Sequence, residues 1–80
     1  MITPRPRQLI ALARRWRNEN PKHHGGVVLI FAGKVYGWKN LLRDPSDERP
    51  GVFAVDADEH IFVAEGGDEY AGAKCWVAHK

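Results

Sequence analysis

The sequence predicts an α+β domain, with one N-terminal helix packed on a mainly antiparallel sheet of four or five strands. Three observations predict it. Apolar residues recur at helical spacing near the N-terminus, as Leu9, Leu12, Ala13 and Trp16. Beyond them come short β-branched and aromatic runs, punctuated by glycine, proline and acidic clusters. Those runs follow one another through short connections, which pairs neighbouring strands antiparallel and leaves a single helix to cover one sheet face. Residues 1–80 form one domain, since a chain of this length has no room for a second core.

Thr3 and Pro4 read as an N-cap followed by proline at the first helical position, where the missing N–H costs nothing. The helix runs from Pro4 to Glu19 and stops before Pro21, because the residue preceding a proline is pushed out of helical geometry. In "GGVVLIFAGKVYGWKN", Val27 to Phe31 show no alternation, which predicts a strand buried on both faces. Ala32-Gly33-Lys34 is the turn of a hairpin that returns through Val35 to Trp38. "LLRDPSDERPG" is a loop opening with one helical turn around Asn40 to Arg43. "GVFAV" and "IFVA" form a second hairpin around the acidic turn "DADEH", "EGGDEYAGAK" is a loop, and "KCWVA" is the last strand. A doubly buried first strand needs cover opposite the helix. Either the loop from Asn40 to Pro50 or a second subunit supplies it, so both monomer and homodimer fit.

Composition narrows the class. Hydrophobic residues at 44% and charged residues at 28% describe a globular chain rather than a disordered one. The single cysteine, Cys75, permits no internal disulfide and favours a reducing cytoplasm. The N-terminal segment carries charges within its apolar stripe and does not read as a signal peptide. Val27 to Ala32, the longest apolar run, is too short to cross a membrane.

Several chemistries fail on spacing. Gly33-Lys34 lacks the flanking residues of a phosphate loop: Val28 stands where a glycine is needed, and Val35 where Ser or Thr would hold magnesium. His23 and His24 are adjacent and diverge in an extended segment, while His60 and His79 lie far along the chain, so no zinc spacing occurs. "DADE" lacks the length and central glycine of a calcium loop. Cys75 sits in an apolar strand context, where a small buried thiol is commonplace. No catalytic, cofactor or metal residues are assigned, and the expectation is a protein that is not an enzyme.

Charge is the informative feature. Residues 1–43 hold nine Lys/Arg against one acid, a balance of +8, whereas residues 44–80 hold three against nine, a balance of −6. Either the first half faces nucleic acid, or the halves pack on each other or on another copy. Arg5 and Arg7 lie in the first helical turn, where cations oppose the macrodipole but, with free N–H groups, offer an anion site. Arg14, Arg17 and Lys22 continue the row, and phosphate contacts from it would be non-specific and salt-sensitive.

Through "PRPRQLIALARRW", "GGVVLIFAGKVYGWKN", "RDPSDERPGVFAVD" and "VAEGGDEYAGAKCW" the chain resembles small accessory proteins of bacterial integrative and conjugative elements and plasmids. Some of these are labelled antirestriction proteins of the ArdR type; others are uncharacterised. The resemblance covers nearly the whole chain and carries no catalytic signature. It implies a role in helping mobile DNA persist in a bacterial cytoplasm. Acidic mimicry of DNA is one antirestriction mechanism, and a net charge of +2 departs from it. Two expectations result: a non-enzymatic interaction protein acting through a protein partner or dimer surface, or a nucleic-acid-binding protein using Arg5, Arg7, Arg14, Arg17 and Lys22.

Overall fold

A computed structural model describes residues 4–79. Helix α1 spans Pro6–Glu19, and the strands are β1 (Val27–Phe31), β2 (Lys34–Lys39), β3 (Phe53–Asp56), β4 (Ile61–Glu65) and β5 (Cys75–Ala78). They form one antiparallel sheet in the order β2-β1-β3-β4-β5. The fold is therefore α+β, with its one helix N-terminal.

The helix begins two residues later than its sequence suggests. Arg5 is the N-cap and Pro6 the first helical residue, while Thr3 lies outside the described residues. Both Pro4 and Pro6 satisfy the proline preference for a helix start. The side chain of Gln8 decides between them, since its Oε1 accepts the Arg5 N–H at 2.9 Å. That closure suits the N3 position of a helix beginning at Pro6.

The β1–β2 hairpin turns on Ala32 and Gly33, with φ of 53° and 78°, as a two-residue turn matched to strand twist requires. A bulge between Leu29 and Ile30 leaves Tyr36 without a partner opposite it on β1. The connection from β2 to β3 must pass over β1, because β1 lies between them. Helix α1 occupies one face, so the crossover takes the other. It carries no helical turn at Asn40 to Arg43; a short 3-10 turn forms instead at Pro45–Asp47, where proline fixes the first φ.

Two apolar layers result. Leu9 and Ala13 of α1 pack on Val28, Ile30, Phe53, Val55 and Ile61. On the opposite face Val27, Leu29, Ala54 and Ala64 meet Val52 and Ala73. Full burial of an aliphatic side chain such as Leu9 contributes about 2–3 kcal/mol. The crossover and the loop before β5 are stitched together over that second face. The Ala73 N–H donates to the Glu48 carbonyl at 2.8 Å, and Trp76 Nε1 donates to the Arg43 carbonyl at 2.7 Å. Cover for both faces of β1 thus comes from within the chain. Among the described residues, no helix is long and apolar enough to cross a membrane.

Candidate nucleic-acid interface

Amphipathic spacing turns Leu9, Ala13 and Trp16 toward the sheet and leaves Arg7, Ala11, Arg14, Arg15 and Asn18 on the outer side of α1. Arg5 lies just before this face and Lys22 just beyond it. The structure divides the five predicted contact residues into two groups.

Arg17 is held inside the fold. Its guanidinium donates to the carbonyls of Gly25 at 2.7 Å, Gly26 at 3.2 Å and Val55 at 3.4 Å, and reaches His23 at 3.4 Å. It ties the end of α1 to the segment entering β1. A guanidinium's planar fork of donors suits such a cluster of carbonyls. Arg14 is also engaged: Nη2 donates to Glu59 Oε1 at 2.8 Å, and Nε to Oε2. The pairing raises the Arg14 pKa and lowers that of Glu59, in each case chiefly through the hydrogen bond they share.

Arg5, Arg7 and Lys22 are exposed and form no ion pair among the described residues. The anion site expected of the first turn is reduced, because the N–H groups of Gln8 and Leu9 donate to the Arg5 carbonyl at 2.9 and 3.2 Å. Arg15, absent from the sequence prediction, belongs with the free group. It is exposed, with only a loose contact of 3.9 Å to Glu19 one turn on. The signal for it is in the sequence, because the helical period sets Arg15 beside Arg14 and away from Leu9, Ala13 and Trp16.

The other residues weighed for chemistry lie in the β3–β4 turn, on the edge strand β5 and beside the end of α1. Asp56, Asp58 and His60 bring ligand atoms within 4.8 Å of one another, a grouping hidden when the histidine and the acidic turn are read apart. Asp56 Oδ1 accepts the N–H groups of Asp58 at 2.9 Å and His60 at 2.8 Å, and His60 Nδ1 lies 3.2 Å from Oδ2. This is the side-chain capping of a tight turn. Cys75 is exposed rather than buried, because β5 is an edge strand and α1 packs over β1 to β4. His23 lies against Trp16 and Trp38, with ring centroids 5.5 and 4.7 Å away. It borders an open hollow of about 380 Å3 that His24, Arg17 and Ala57 also line. The hollow continues the polar end of the helix.

No family model, curated protein or solved structure matches the chain.

Proposed function

We propose that the protein is a non-enzymatic interaction module of a mobile genetic element, akin to the accessory proteins its sequence resembles, and that it acts in the bacterial cytoplasm by contacting nucleic-acid phosphates. One observation carries the reading. Residues 5–22 carry Arg5, Arg7, Arg14, Arg15, Arg17 and Lys22 against a single acid, Glu19, and four of these cations, Arg5, Arg7, Arg15 and Lys22, remain exposed without a tight partner. A row of like charges kept in water suits a polyanion, whose bound counterions are released when the row docks. A cationic face also suits contact with DNA better than the part of an acidic decoy.

The test is anisotropy with a labelled duplex at two salt concentrations. Replacing Arg7, Arg15 and Lys22 together by Ala should weaken binding about tenfold or more near 50 mM salt and flatten the salt dependence by roughly two to three phosphate contacts. The thermal midpoint should stay in place, since none of the three holds the fold together. Unchanged affinity at matched salt would reject the reading.

A second reading, a protein partner, is favoured by the opposite side of the molecule. Leu41 and Tyr70 are 63% and 92% exposed. They belong to the two loops flanking a hollow of about 540 Å3 between Asp44–Ser46 and Gly67–Lys74. Exposed apolar side chains on loops are suited to a protein surface. Binding there would tolerate salt.

A further inference from the structure

We propose, resting on the nucleic-acid reading above, that the Glu59 carboxylate occupies on Arg14 the place of a backbone phosphate, and that docking exchanges the one anion for the other. The two-pronged guanidinium–carboxylate contact of Arg14 and Glu59 is the same fork that arginine offers a phosphate. Two features make the exchange easy. The Arg14 side chain is 67% exposed, so an incoming anion reaches it without any core residue moving. Exposed ion pairs contribute little to stability, so their opening is readily offset by a new partner. Glu59 stands at the end of the β3–β4 turn, with φ 66°. The residues on either side of it are capped by Asp56 Oδ1, which accepts the N–H groups of Asp58 and His60.

Position on the helix gives the exchange its consequence. Arg7 and Arg14 are seven residues apart and share the outer face, roughly 10 Å along the axis. With Glu59 in place, Arg14 is withdrawn from the basic face and leaves Arg7 and Arg15 there. With Glu59 displaced, Arg14 joins Arg7 and Arg15 on the outer face, with Lys22 in the turn beyond the helix. Glu59 therefore sets a threshold: weak or isolated anions leave the pair closed, whereas a polymer that already engages Arg7 and Lys22 supplies the local phosphate that opens it.

The experiment compares Glu59→Gln with Asp58→Asn in the full chain, measured against the same labelled duplex over a salt series. Both variants remove one negative charge from the same turn, but only the first frees Arg14. Glu59→Gln should tighten binding about fivefold and steepen the salt dependence by roughly one phosphate contact, a slope change of about 0.9. Asp58→Asn should change affinity less and leave the slope alone, and Glu59→Gln placed on Arg14→Ala should lose its gain. Equal effects of the two single variants, or a gain that persists without Arg14, would overturn the exchange while leaving nucleic-acid binding intact. Absence of binding by the wild-type chain and by every variant would reject the underlying reading itself.

Discussion

Gly72→Ala is expected to destabilise the protein by about 3 kcal/mol or more, read as a lowered midpoint in urea unfolding. Gly72 stands at φ 84°, and a Cβ built there lies 2.1 Å from the carbonyl oxygen of Ser46. The torsion alone costs an alanine about 1–2 kcal/mol. The collision is with main chain in the 3-10 turn, which cannot swing aside as a side chain would. Relief requires the crossover to lift from the loop before β5, and that uncovers the layer of Leu29, Val52 and Ala73. Gly33→Ala is the matched comparison, since Gly33 also has positive φ, at 78°, but nothing lies within 4 Å of its Cβ position. It should cost only the torsional share. Equal losses at the two sites would show that the packing of the two loops contributes nothing.

Glu48→Ala is expected to cost about 1–2 kcal/mol and to change the pH dependence of stability as well. Glu48 is the buried acid of the second face, with 9% of its surface exposed. One carboxylate oxygen accepts the Tyr36 hydroxyl, and the other lies 2.7 Å from Lys39 Nζ. Asp47 adds a weaker contact to the same ammonium at 3.6 Å. Truncation removes the shared acceptor of two groups that water still reaches, since Tyr36 is 51% exposed and the Lys39 side chain is partly exposed. The loss is therefore that of the two bonds and of the packing around the buried carboxylate. Glu48→Gln should fall between, because its amide oxygen still accepts from Tyr36.

The alkaline behaviour follows from two groups. Burial first, and then the hydrogen bond to Glu48, push the Tyr36 pKa well above its ordinary 10.0. The bond to Glu48 raises Lys39 above its ordinary 10.5. Both groups hold their proton more tightly in the folded state than in the unfolded one. Their contribution is therefore complete below about pH 10 and is lost as pH rises through the folded values. Wild-type stability should decline above about pH 10, and Glu48→Ala should decline less steeply over the same range. Parallel profiles would remove Glu48 as the origin of the coupling.

What could be read from the sequence was whatever depends on local periodicity. Leu9, Leu12, Ala13 and Trp16 announce α1 because a helix repeats over a few residues, and Val27 to Phe31 announce a strand buried on both faces. The crossover's role was legible as a need for cover, not as a geometry, because its seating depends on Gly72 meeting Ser46 across 26 positions. The charge row was legible as a helix face. Its division was not. Arg17 is withdrawn by carbonyls up to 38 residues away, and Arg14 by an acid 45 residues on. Only the folded sheet brings those groups near α1, so composition and spacing could not separate structural arginines from free ones.

The measurement that tests the central claim most directly is an amide NMR titration of the labelled protein with a short duplex DNA at about 50 and 200 mM salt. The outer face of α1 should respond, with shifts at Arg7, Ala11, Arg15, Asn18 and Lys22 that fade at the higher salt. Shifts that are absent, or that centre on Leu41 and Tyr70 and persist in salt, would contradict it and assign the working surface to the loops on the other side of the sheet.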